Sequence, residues 1–187
     1  MRRALSQQKI EAIFQYYLSN GFNHTTDEIT LGMGISRKTF FNRYISKAHS
    51  NTLAIQHWHS LIQERFREKA VECNHPVEEI LLFIWEIHNL KEKEYSFFEY
   101  EMQKNLISSN QSPFLSMLGN IIKKGIRRYH FQEDINIELY SQYLMHNLCH
   151  YVVHNENKEQ LIKYLLYPLL TERGQELLED VDVMLFL

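Results

Sequence analysis

Along the first fifty residues the apolar positions recur at helical spacing. Ile10, Ile13, Phe14, Tyr17 and Leu18 follow the i, i+3, i+4, i+7, i+8 stripe of a helix resting on a core. Asn20-Gly21 closes that helix, because glycine accepts the left-handed conformation after a last turn, and Phe22 offers its ring to the core. Thr25-Thr26-Asp27-Glu28 reads as a capping box, in which hydroxyl and carboxylate satisfy orphan backbone N–H groups reciprocally. The second helix it opens carries Ile29 and Met33 on its apolar face and ends at Gly34, after about two turns. Ser36 caps a third helix. Its Phe40 and Tyr44, four residues apart, lie on one buried side and leave Arg37, Lys38 and Asn42 outward. Phe41 fits either the outward side or the core.

Ser46-Lys47 restarts the chain into a long fourth helix toward Val71, with Ile55, Trp58 and Ile62 on one face. Asn74-His75-Pro76 marks the next break, since proline suits a first helical turn and restricts the residue before it. Val77, Ile80, Leu81, Ile84 and Ile87 then trace another helix. Further stripes run through Tyr95, Phe98 and Met102, through Phe114, Leu118, Ile121, Ile122 and Ile126, and through Leu139, Tyr143, Leu144 and Leu148. The final pattern, Lys158 to Leu178, contains Pro168, which predicts a kink or a split. The links are short and polar, as antiparallel helices require. The pattern predicts an all-α protein.

Composition supports this reading, with 44% hydrophobic and 13% aromatic residues against only 6 Gly and 3 Pro, a mixture suited to long helices. The two cysteines, Cys73 and Cys149, form no CxxC pair and indicate no disulfide framework. No stretch resembles a signal sequence or a membrane span, which leads us to expect a soluble, cytoplasmic protein with no membrane partner. The net charge of -3 is unevenly spread. Residues 1 to 50 hold seven Lys or Arg against three Asp or Glu, a balance of 7 - 3 = +4, so the remainder carries -3 - 4 = -7. A basic module that approaches phosphates, joined to an acidic body that does not, accounts for such asymmetry.

Two short helices separated by a glycine-containing turn, with cations opening the second, are the elements of a helix-turn-helix. An N-terminus aimed into a major groove brings Arg37 and Lys38 to base edges and phosphates, with the helix dipole adding positive potential. At these residues the chain resembles the TetR family of bacterial transcription regulators. Gly21-Phe22 followed by Thr25 is similar to that family's glycine-aromatic turn and threonine cap. Ile29, Gly34-Ile35-Ser36, Thr39-Phe40-Phe41, Tyr44 and Ser46-Lys47 resemble its isoleucine, Gly-Val-Ser, Thr-Leu-Tyr, Phe and Ser-Lys positions. The likeness covers about the first 50 residues by motif and the rest by helical layout. The chain departs from the family at Lys38, where glycine is frequent, at Thr30, where alanine is preferred, and at Ala48-His49-Ser50. Its interval from Gly21 to Ile29 is one residue shorter.

The resemblance implies a helix-turn-helix DNA-binding domain over residues 1–49 and a ligand-binding and dimerisation domain over 50–187. By position it makes Arg37, Lys38, Thr39, Phe41 and Asn42 candidates for groove contact, with Thr25 and Lys47 on phosphates. It further implies a homodimer joined through the last two helical segments, Ile135 to Asn155 and Lys158 to Leu178, on a palindromic double-stranded operator. A small, largely apolar effector would release it as a repressor, and Trp85, His88, Phe98, Met102, Tyr143 and His146 are the candidate pocket residues. Such aromatics at helical spacing are more often plain core. The alternative is a helical interaction protein that keeps the fold without specific DNA binding.

The segment His146 to His154, HNLCHYVVH, sets His146, Cys149, His150 and His154 on one side of a helix and raises zinc, copper or nickel as ligands. Histidines four apart serve more often at interfaces, so no metal and no cofactor is expected. Nor is an enzyme, because no phosphate-binding glycine loop, Gly-x-Ser-x-Gly turn or HExxH segment occurs.

Overall fold

The structure is a computed structural model that describes residues 6–104, 112–150 and 157–181. Among these the chain is helical: α1 Gln7–Asn20, α2 Thr26–Gly32, α3 Arg37–Tyr44, α4 Lys47–Ala70, α5 Pro76–Lys93, α6 Tyr95–Gln103, α7 Pro113–Arg127, α8 Ile137–His150, α9 Lys158–Leu166 and α10 Glu172–Asp180. Within the described residues the β-structure is one isolated antiparallel bridge, Phe131 to Leu170.

The predicted boundaries arise from local chemistry. Ser36 Oγ accepts from Thr39 N–H at 3.1 Å, and Ser46 Oγ from His49 N–H at 3.1 Å, satisfying donors that each helix start leaves open. Pro76 opens α5. Helix α2 stops at Gly32, two residues earlier than its sequence suggests, and Gly34 takes φ +64° in the turn that follows, where a Cβ would be strained. Pro168 splits the last pattern: α9 ends at Leu166, a 3-10 turn spans Tyr167–Leu169, and α10 follows.

The long helix α4 ties the N-terminal module to the body. Its first half packs on α1 and α3, where the buried Tyr17 and Ser50 hydroxyls share a hydrogen bond of 2.8 Å and Tyr44 Oη donates to Lys9 O at 2.8 Å. Its second half meets α5 and the α5–α6 junction through paired charges: Lys69 Nζ lies 2.6 Å from Glu86 on α5, and Arg65 lies 2.6 Å from Glu94 at the junction, which also accepts from the Trp58 indole. Glu86 is buried, and only its cationic partners make a desolvated carboxylate tolerable there.

Aromatic rings continue the core from module to body. Phe22 stacks on Tyr17 and on Tyr100, with centroids 4.5 and 4.2 Å apart, and meets Phe97 edge-on. Phe97 in turn lies 5.5 Å from Trp58. Offset and edge-on pairs of this kind add to the burial of large apolar surfaces. Residues on either side of the expected boundary at 49/50 therefore share one core.

One apolar stripe faces differently from its sequence reading. Helix α8 buries Tyr140, Leu144, Met145 and Cys149 but turns Leu139 and Tyr143 to solvent at 65% and 44% exposure. The helix is apolar on two adjoining sides, so periodicity does not say which side the body covers.

Candidate nucleic-acid interface

Helix α3 has two distinct sides. Phe40 and Tyr44 are fully buried and seat it, while Arg37, Lys38 and Asn42 are exposed. Phe41, open in the sequence, is 44% exposed and stands with the outward group. Positions 37, 38, 41 and 42 fall one helical turn apart in pairs, which brings them onto one face. Thr39 is half-buried, its Oγ1 2.9 Å from Ser36 Oγ. Lys47 is the first residue of α4 and half-buried.

Thr25 is occupied. Its backbone N–H donates to Glu28 Oε2 at 2.6 Å, its hydroxyl donates to the same oxygen at 2.9 Å, and it accepts from Glu28 N–H at 3.3 Å. The Thr25 backbone N–H, then its hydroxyl, hold the Glu28 carboxyl below its ordinary value, with smaller help from the His24 and Lys47 charges. A phosphate reaching this helix start would have to compete with Glu28. Sequence reasoning also missed Asp27 as a partner of the outward face: its Oδ1 lies 2.9 Å from Arg37 Nε. An acid in the first turn of α2 was legible as a dipole partner, but its reach to α3 depends on how the two helices cross.

The six pocket candidates sit on three helices: Trp85 and His88 on α5, Phe98 and Met102 on α6, Tyr143 and His146 on α8. Phe98 is core; Lys69 Nζ lies 3.8 Å over the Trp85 ring; His88 lies 3.2 Å from Glu92 and 3.4 Å from Lys158 Nζ. None of the six lines the two clefts described next. The larger, about 500 Å³, lies between α4 and α7 and includes Phe66, Arg67, Met117, Lys123 and Arg127. The smaller, about 180 Å³, lies between the Gly21 turn and α6.

In the His/Cys segment the His146 and His150 rings are exposed and 4.5 Å apart, whereas Cys149 is buried and its thiol is pushed up to about 12 by that burial. A thiol held protonated is a poor nucleophile. His154 lies outside the described residues. Among the described residues no group of three or more His, Cys, Asp or Glu is placed to hold a metal, and no helix is long and apolar enough to cross a membrane.

A three-helix module with a cationic outward helix, mounted by a long helix on a helical body, is the architecture that the TetR resemblance led us to expect. Among solved structures, the chain is similar to the ketosteroid transcriptional regulator KstR2 of Mycobacterium tuberculosis, with a TM-score of 0.59 and 14% identity over 91% of this chain and 98% of that one. At that identity the likeness shows the fold alone, over 91% of this chain. No protein-family model matches the sequence, and no curated protein matches it.

Proposed function

We propose that this protein is a sequence-specific DNA-binding transcriptional regulator, a homodimer that represses from a palindromic operator and is released by a small ligand. The observation that carries the reading is the two-sided α3: Phe40 and Tyr44 anchor it, and Arg37, Lys38, Phe41 and Asn42 stand out from it together. Arg37, Lys38 and Asn42 donate to base edges in the major groove, Thr39 and Phe41 press on a thymine methyl or the sugar backbone, and Lys47 supplies sequence-independent charge. The similar solved structure, itself a transcriptional regulator, supports the class.

A second copy joins through α8 and the α9–α10 segment. Leu139, Tyr143 and Tyr164 support this assignment, since such large side chains exposed in that region call for a cover. A twofold axis then sets the two α3 helices about 34 Å apart, one DNA turn.

The experiment is a footprint on the DNA upstream of the protein's own gene at several salt concentrations. A palindromic protected site whose affinity falls steeply with salt is expected. If no genomic fragment is protected at low salt, the chain is instead an interaction protein on the same fold.

A further inference from the structure

The cleft between α4 and α7 concentrates positive charge where DNA does not reach. Arg67 lies twenty residues along α4 from Lys47, about 30 Å at about 1.5 Å per residue and several times the screening length of about 8 Å at physiological salt. The charge also runs against its surroundings. Residues 51 to 187 hold 13 Lys or Arg against 20 Asp or Glu, yet this cleft is lined by Arg67, Lys123, Lys124 and Arg127 with a single acid, Glu79.

Glu79 does not balance them. Its buried carboxylate is taken by Lys124 Nζ. Among the described residues no carboxylate stands at ion-pair distance from Arg67, Lys123 or Arg127. Three uncompensated cations around one cleft repel one another, and an anion placed among them lowers that repulsion. The same cleft is also lined by the apolar side chains of Phe66, Met117 and Ile121. A volume of about 500 Å³ suits a small organic molecule.

From these features we infer that the α4–α7 cleft binds an amphipathic anion, a carboxylate or phosphate head on an alkyl- or acyl-sized apolar body. The head sits among Arg67, Lys123 and Arg127, and the body lies on Phe66, Met117 and Ile121. The inference deepens the effector reading above and rests on it for its regulatory consequence, but not for binding. It also moves the effector away from the six aromatic and flexible residues and changes its class from largely apolar to charged. The consequence follows from α4, which carries Arg67 at one end and the Tyr17–Ser50 contact with the DNA module at the other. An anion bridging Arg67 to the α7 cations acts directly on that helix.

Calorimetric titration of the full chain, without DNA, tests the inference with decanoate and decyl phosphate below their micelle-forming concentrations, decanol below its solubility, and inorganic phosphate. Decanoate and decyl phosphate are expected to bind, with decanol and inorganic phosphate weaker by about tenfold or more; the tighter anion identifies the head group. The Lys123→Ala/Arg127→Ala variant should bind both anions about tenfold more weakly with unchanged helicity and melting, while Arg37→Ala/Lys38→Ala should titrate as the parent does. Decanol binding as tightly as decanoate, the Lys123/Arg127 variant titrating like the parent, or the absence of any anion binding would each overturn the proposal. Because no DNA is present, these failures are separate from failure of the footprint.

Discussion

Arg37 Nε lies 2.9 Å from Asp27 Oδ1, joining the first turn of α3 to the first turn of α2. Both side chains are about two-thirds exposed, at 65% and 66%, so solvent screens the pair and it adds little to stability. On the proposed groove assignment the pair bears on DNA binding, because an acid holds one donor of the side chain proposed for the groove.

Replacing Asp27 by Asn is therefore expected to raise affinity for all DNA sequences by a few-fold, through removal of one negative charge near phosphates, with melting unchanged. Arg37→Ala/Lys38→Ala should abolish specific protection while leaving helicity and oligomeric state intact, and should flatten the logarithmic salt slope by about one for each phosphate no longer neutralised. Gel shifts at several salt concentrations measure both. Retained protection of the same site by the double variant would refute the α3 assignment.

The outward side of α8 predicts the association state. Leu139→Glu/Tyr143→Glu places two charges on a face now 65% and 44% exposed at those positions, which costs the folded monomer little and a buried interface several kcal/mol, about 2–5. Sedimentation should report a dimer for the parent and a monomer for the variant. A variant that sediments with the parent places the interface elsewhere.

Two glycines of α7 should respond oppositely to alanine. A Cβ at Gly125 would overlap the buried Phe131 ring, whereas one at Gly119 would sit at an ordinary 3.7 Å from Ile137 Cγ2. Gly125→Ala is expected to cost about 1–3 kcal/mol through overpacking, and Gly119→Ala to gain about 0.5–1 kcal/mol from helix propensity. Thermal unfolding distinguishes them, and equal effects would contradict this account of the α7 packing.

Acid should weaken the fold partly through His130. Burial lowers its proton affinity first, and the Arg173, His75 and Arg128 charges lower it further. With its folded-state value below an unfolded value of about 6.5, the unfolded chain binds more protons between the two. Its contribution is therefore complete above about pH 6.5 and is lost as pH falls through the folded-state value. His130→Gln should flatten the fall in melting temperature as pH drops below about 6.5. An unchanged slope would mean that other groups carry it.

The legible parts of the molecule were those that act within a turn or two of chain. Thr25 with Glu28, Ser36 with Thr39 and Ser46 with His49 close their caps across three residues, and Pro168 interrupts its own helix. The buried Phe40 and Tyr44 stripe follows from the same short-range geometry, so the all-helical layout and the two sides of α3 were readable from residue order.

Features formed between helices were not. The Asp27–Arg37 pair, the outward turn of Leu139 and Tyr143, and the meeting of Arg67 with Lys123 and Arg127 each join positions whose separation depends on helix crossing and on which apolar side the body covers. Residue order assigned the pocket to aromatic side chains, because aromatics and core look alike along a chain. Packing buries Phe98, sets Lys69 Nζ over the Trp85 ring, and gathers cations at the α4–α7 cleft. A helix's hydrogen bonds and caps are made from its own neighbouring atoms; a cleft is made from the surfaces several helices leave uncovered, and that remainder exists only once they have packed.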